Sequence, residues 1–138
     1  MKQLCEIVKQ HGPLAGRILM ALIFVNSGFG KITGFSATAG FMAGKGMPMA
    51  EFLLVGAIVF ELAGAIMLIA GWRVHWGALL LIVFTIPATL VFHNFWAVDA
   101  AQVQNQLNHF TKNVAIVGGL LYVMAFGAGP LSLDNRRR

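Results

Sequence analysis

The stretch FLLVGAIVFELAGAIMLIAG, residues 52–71, decides the fold class of this chain. It is long enough to cross the hydrocarbon core of a bilayer as a helix, which takes about 20 residues at about 1.5 Å of rise each. Its one charged residue, Glu61, lies near the middle. A carboxylate at that depth costs about 2.5–3.5 kcal/mol on insertion scales, so it needs a partner, a proton or a water-filled cavity. Glu61 is therefore the first candidate functional residue.

Three further apolar runs have comparable lengths, at residues 14–30, 74–96 and 113–131. Helices are favoured for all four spans because lipid offers no partner for free backbone groups. The chain also lacks the segments of about ten alternating residues that are typical of membrane barrels. The sequence thus predicts an all-α membrane protein, with residues 1–138 forming a single transmembrane domain built as a four-transmembrane-helix bundle.

The segments between the spans differ in character. Residues 31–51 are rich in glycine and small side chains with a few large apolar ones, which predicts a short, partly helical interfacial segment between helices 1 and 2. Only Trp72 and Arg73 separate the second and third spans, so a tight helical hairpin is expected. Residues 97–112, AVDAAQVQNQLNHFTK, form the only extended polar stretch and are predicted to connect the third and fourth spans.

The composition supports lipid as the main solvent. Hydrophobic residues make up 58% of the chain and charged residues 11%, whereas a soluble domain usually carries about 25% charged residues. The net charge is +5, but the basic residues do not cluster with aromatic ones into a groove, which argues against nucleic-acid binding. Cys5 is the only cysteine, so the chain has no internal disulfide and no redox pair of its own.

The basic residues predict the orientation in the membrane. An even number of spans places both termini on one side, and that side carries seven of the ten basic residues: Lys2, Lys9, Arg17, Arg73, Arg136, Arg137 and Arg138. Lys31, Lys45 and Lys112 lie on the other side. The positive-inside rule therefore predicts a multi-pass protein with both termini in the cytoplasm. The first apolar run is longer than the roughly 7–15 residues of a signal-peptide core, so we expect this span to be retained.

Helical spacing gathers the polar residues into stripes. Ser27 and Lys31 share a face of the first span, and Thr85, Thr89 and His93 are spaced by four on the third. Lys112 and Asn113 begin the fourth span at the outer side, and Glu61 lies about 15 Å below that side by helical rise. The polar groups thus converge on the outer half of the bundle. This predicts a pocket with Glu61 at its base more readily than a pore open at both ends.

The candidate roles follow from this arrangement. Glu61 and His93 are the candidate catalytic residues, and no metal site is predicted. The candidate ligand-binding residues are Ser27, Lys31, Thr89, Lys112 and Asn113. Other interpretations stay open, because the two lysines can extend towards headgroups, the threonines can bond their own helix and His93 can be interfacial. HExxH, CxxC, GxSxG and Walker patterns do not occur.

Short motifs follow one another along the chain. They are Gly16-Arg17 with Ser27-Gly28 and Lys31, Glu61 with Gly64, Phe92-His93, and Lys112-Asn113 followed by GPLSLD at 129–134. In this order they resemble the DoxX family of small four-helix membrane proteins. The resemblance implies a bacterial inner-membrane protein associated with membrane oxidoreductases, including subunits that pass electrons from sulfur compounds to quinone.

The leading hypothesis is a membrane subunit that binds a quinone or a similar redox molecule. His93, Lys31 and Asn113 are the candidate donors to a quinone oxygen, and Glu61 is the candidate for the coupled proton. Without a cysteine pair, electron transfer needs the quinone, another cofactor or a redox partner subunit. Two alternatives remain: a small-solute transporter with Glu61 as proton relay, and a non-catalytic scaffold that anchors redox partners through Arg73 and residues 136–138. A role as a quinone-linked oxidoreductase subunit and the formation of a homo-oligomer are further hypotheses.

Overall fold

The computed structural model describes residues 1–136, and that part of the chain is almost entirely helical. The helices are α1 Lys2–Thr33, α2 Phe35–Gly44, α3 Ala50–Ala70, α4 Val74–Phe92, α5 Ala100–Phe126 and α6 Leu133–Arg136, with a 3-10 turn at Phe95–Ala97. Four of them, α1, α3, α4 and α5, are long and apolar enough to cross a membrane. The predicted all-α, four-helix membrane bundle is confirmed.

The four long helices pack in the order α1, α3, α4, α5, and α1 touches α5 over a short stretch only. One end of the bundle carries α2 and the 93–99 connection; we call it the α2 end. The opposite end carries the α3–α4 turn at 71–73 and the segment 127–136; we call it the hairpin end. The tight hairpin expected from the sequence is present, and the αL backbone of Gly71 and Arg73 makes its turn.

Close packing fills the half of the bundle near the hairpin end. The fully buried apolar residues there are Ala21, Ala65, Leu68, Val74, Ala78, Leu81 and Leu120. Gly64 of α3 faces Gly77 of α4 so closely that a Cβ on Gly64 would lie 3.0 Å from the Gly77 carbonyl oxygen. Small residues allow this backbone approach, which is the usual way in which membrane helices gain packing contacts.

Helix α2 crosses the other end of the bundle, as the expected short helix between helices 1 and 2. Its buried Ala39 and Met42 pack with Leu54 of α3 in a second, smaller cluster. Phe41 stacks on Phe92 of α4 with ring centroids 5.8 Å apart. These contacts hold α2 as a cover over the space between α1, α3 and α4.

The last long helix differs from the predicted span in both bounds. The polar stretch 97–112, which lies between the third and fourth predicted spans, is helical from Ala100 onwards. Asp99 takes the N-cap position, and alanine, glutamine and leucine are good helix formers, so polarity alone does not prevent a helix here. The helix ends at Phe126 instead of 131, because Gly127 has a φ of 80° and leaves the helical region.

Candidate functional site

Glu61 forms an ion pair with Lys31 inside the bundle. The Lys31 Nζ lies 2.9 Å from Glu61 Oε2 and donates to Oε1 at 3.2 Å. The Glu61 side chain is 1% exposed and that of Lys31 is 22% exposed. Lys31 also donates to Ser27 Oγ, one turn back on α1. The partner that a buried carboxylate requires is therefore supplied by the neighbouring helix.

The ion pair borders a cavity of about 420 Å³ at the α2 end. Its polar lining comes from all five helices at that end: Asn26, Ser27, Lys31, Thr38, Glu61, Thr85, His93, Lys112 and Asn113. Six of the seven residues named from the sequence are in this lining; Thr89 is not. The volume lies within the roughly 300–1,000 Å³ of small-molecule sites. The cavity can therefore hold a compact ligand against a buried charge pair.

Aromatic rings form the apolar side of the cavity. Lys31 Nζ lies 5.4 Å from the centre of the Phe84 ring, a cation–π distance. Phe84 in turn meets Phe24 edge to face, with centroids 6.5 Å apart. Phe41 of α2 and Phe92 of α4 complete this side. A flat, partly polar ligand would find ring faces on one side and hydrogen-bonding groups on the other.

Thr89 stands behind the cavity wall and orients Asn113. Asn113 Nδ2 donates to Thr89 Oγ1 at 2.9 Å, and that hydroxyl donates to the Thr85 carbonyl at 2.6 Å. Thr85 bonds the Leu81 carbonyl in the same way. Both threonines thus bond their own helix, as the alternative interpretation holds, and Thr89 also fixes a residue that lines the cavity.

His93 lies at the mouth of the cavity in a small polar cluster. Its Nδ1 is 2.9 Å from Gln106 Oε1, and its ring stacks on His109 with centroids 4.9 Å apart. Lys112 Nζ lies 3.3 Å from His109 Nδ1. Gln106 is missing from the residues predicted from the sequence. The spacing 106, 109, 113 matches one helical face and could have identified it.

A second buried polar cluster lies at the hairpin end. Arg17 is 2% exposed and donates to the carbonyls of Leu68 and Ile69 in the last turn of α3, and to Leu131 at 2.6 Å. Asp134 accepts from the backbone N–H groups of Arg73 and Val74, at 2.7 and 3.0 Å. All of these partners are backbone groups. The cluster therefore caps the two helices of the hairpin.

The DoxX protein-family model matches residues 12–94 of the chain. The chain belongs to the DoxX family. The match covers α1 to α4, and so includes Arg17, Ser27, Lys31, Glu61 and His93 of the described clusters.

Several known proteins are similar to this DoxX-family chain. It is 35% identical to inner membrane protein YphA of Escherichia coli (strain K12) over 123 residues, which cover 89% of the chain and 88% of that protein. It is 34% identical to inner membrane protein YqjF of the same strain over 135 residues, covering 98% and 95%. The Surfeit locus protein 4 homolog of Schizosaccharomyces pombe is 25% identical over 91% of the chain and 37% of that protein. No solved structure matches the chain.

The two bacterial relatives are named as inner membrane proteins, in agreement with the location expected from the sequence. Their names specify no ligand.

Proposed function

We propose that this DoxX-family protein binds a quinone-like redox molecule in the cavity at the α2 end. The observation that carries the proposal is the Lys31–Glu61 ion pair, which is buried in a membrane helix bundle and borders a cavity of about 420 Å³. Ionisable residues inside a membrane are costly, and they commonly mark ligand or proton pathways. A pair needed for packing alone would not require an adjoining cavity.

The side chains around the cavity fit a quinone head group. Quinone oxygens accept hydrogen bonds, and N–H groups are offered by Lys31 of α1, Asn113 of α5 and His93, the residue after α4. Phe84 and Phe92 offer ring faces against which a flat quinone ring can pack. Ser27 and Lys112 add polar groups at the edge of the same space.

Glu61 is the group that we assign to proton exchange. A bound quinone supplies the redox chemistry, because its reduction takes up electrons together with protons. Lys31 lies within 3.2 Å of both carboxylate oxygens of Glu61 and balances its charge when the proton is absent. Since Cys5 is the only cysteine and is exposed, we propose that a redox partner subunit delivers or accepts the electrons.

Transport is less well supported than binding. Below Glu61 the bundle is filled by side chains without exposed surface, such as Ala21, Leu68 and Leu81. A pocket closed at its base suits a bound molecule, whereas a transported solute needs a continuous pathway across the membrane. The scaffold alternative depends partly on Arg137 and Arg138, which lie outside the described residues, and homo-oligomer formation stays a prediction.

We further propose that the cavity opens on the outer side of a bacterial inner membrane. The basic residues at the hairpin end and the N-terminus outnumber those at the α2 end, which favours cytoplasmic termini. Cysteine labelling at introduced sites in intact cells and in inverted vesicles measures this orientation. Labelling of Ser36→Cys only from the cytoplasmic side would overturn it.

The test of the function is a binding titration on the purified chain in lipid nanodiscs. The probe is a benzoquinone that carries the ring substituents of ubiquinone but no tail. We expect saturable binding that weakens about tenfold in Glu61→Gln and in His93→Ala, which corresponds to the loss of about one charged hydrogen bond.

Matched controls separate the site from general effects of charge or ring removal. Glu51→Gln changes an exposed carboxylate at the start of α3, and His11→Ala changes an exposed histidine in α1. Both controls should bind like the unchanged protein. Absence of saturable binding, or equal weakening by Glu61→Gln and Glu51→Gln, would contradict the proposed function.

A further inference from the structure

A second cavity lies beside the polar one, between α3 and α4 and beneath α2. It measures about 300 Å³, and its lining is made of apolar side chains and glycine. Phe52 and Val83 on its rim are 70% and 49% exposed, so the groove opens on the lipid-facing surface of the bundle. We call this space the α3–α4 groove.

The α3–α4 groove and the polar cavity share a wall. The residues common to both linings are Met42, Ala57, Phe84, Ala88 and Phe92. Two of these, Ala57 from α3 and Ala88 from α4, have the smallest side chains of the shared wall. A polar space with a buried ion pair thus adjoins an apolar space that opens to lipid.

The gap between the two helices is local. Towards the hairpin end, α3 and α4 touch through the backbones of Gly64 and Gly77. At the groove, a Cβ added to Gly56 would meet no atom within 4 Å, although Gly56 belongs to the same helix as Gly64. Helices α3 and α4 are therefore tightly packed near the hairpin end and are separated near the α2 end, next to the polar cavity.

We infer that the ligand of the polar cavity is an amphiphile whose hydrocarbon tail lies in the α3–α4 groove. The inference rests on the proposed function and specifies its substrate class: a quinone with an isoprenoid tail, which enters from the bilayer between α3 and α4. The head group contacts the Lys31–Glu61 pair, and the tail passes the wall at Ala57 and Ala88. An apolar groove alone would suit any lipid chain. Because this groove adjoins a polar cavity across a shared wall that includes two alanines, we assign head and tail to one molecule.

The experiment compares a tail-less ubiquinone analogue with its decyl-tailed counterpart on the purified chain in nanodiscs. Gly56→Leu fills the groove without a clash at Cβ, so the variant is expected to fold. We expect it to weaken binding of the tailed quinone about tenfold and to leave the tail-less quinone unchanged. Gly118→Leu is the matched control, because Gly118 is an exposed helical glycine of α5 whose added Cβ also meets nothing within 4 Å.

The outcomes distinguish this inference from the proposed function. Suppose that the unchanged protein binds the tail-less quinone, and that Gly56→Leu and Gly118→Leu bind the tailed quinone equally well. The assignment of the tail to the groove is then overturned, and the proposed function stands. If neither quinone binds to the unchanged protein, the proposed function fails. If mass spectrometry shows that Gly56→Leu expels a phospholipid while quinone affinities stay constant, the groove belongs to a lipid, and the inference is again overturned.

Discussion

The hairpin end and the α2 end of the bundle each hold a basic and an acidic residue, but they use them differently. Arg17 and Asp134 bind backbone groups, and so complete the ends of α3 and α4. Lys31 and Glu61 bind each other beside a cavity. Burial of a charge in a membrane protein therefore does not by itself indicate function. The nature of the partner and the presence of adjoining space distinguish a structural charge from a candidate site.

The largest expected effect of a single change is on the hairpin end. Arg17→Met should lower the free energy of unfolding by about 3–5 kcal/mol, because carbonyls of α3 and of residue 131 lose a charged donor. Thermal unfolding in detergent measures the loss. Lys9→Met, an exposed change in the same helix, should cost less than about 0.5 kcal/mol. Similar free energies of unfolding for Arg17→Met and Lys9→Met would contradict the structural role assigned to Arg17.

The ion pair at the α2 end should show coupling. Lys31→Met leaves the Glu61 carboxylate without its partner and should destabilise the protein by about 2 kcal/mol. The double variant Lys31→Met with Glu61→Gln should recover more than half of that loss, since no lone buried charge remains. A double-mutant cycle on unfolding free energies measures the interaction. Strictly additive effects would mean that the two side chains do not act as a pair.

The Asp134 cap should contribute a smaller amount. Asp134→Asn replaces one of the two accepting oxygens by an amide nitrogen that cannot accept, so one of the bonds from the Arg73 and Val74 N–H groups is lost at a cost of about 1 kcal/mol. Asp99→Asn is the matched control, because Asp99 takes the N-cap position of α5 without a side-chain hydrogen bond there. Its cost should be near zero by the same unfolding measurement. An equal cost for both changes would remove the capping role assigned to Asp134.

The smallest effect is expected between α4 and α5. Thr89→Val removes the acceptor of Asn113 and should cost about 0.5–1 kcal/mol of stability. It should also weaken quinone binding two- to threefold, an estimate for the loss of one neutral orienting hydrogen bond. Asn105→Leu on the exposed face of α5 serves as control for both measurements. Unchanged quinone affinity in Thr89→Val would show that Asn113 does not bind the ligand.

Sequence reasoning predicted much of the site because helical periodicity is a local property. Ser27 and Lys31 lie one turn apart, so their common face follows from the spacing. The low hydropathy of residues 97–112 marks the end of an apolar span but does not mark the end of a helix. Helix formation depends on backbone propensity and capping as well, and so α5 begins at Ala100.

By itself, the sequence determined that lipid surrounds most of the protein, that four apolar helices span it and that Glu61 lies near the middle of one of them. These properties depend only on composition and on the rise per residue of a helix. Only the tertiary structure decided which basic residue meets that acid. Both Arg17 and Lys31 lie on α1, but the packing of α1 against α3 brings Lys31 to Glu61 and carries Arg17 to the end of α3. The choice depends on the position of one helix along another, and such positions are set by contacts between distant parts of the chain.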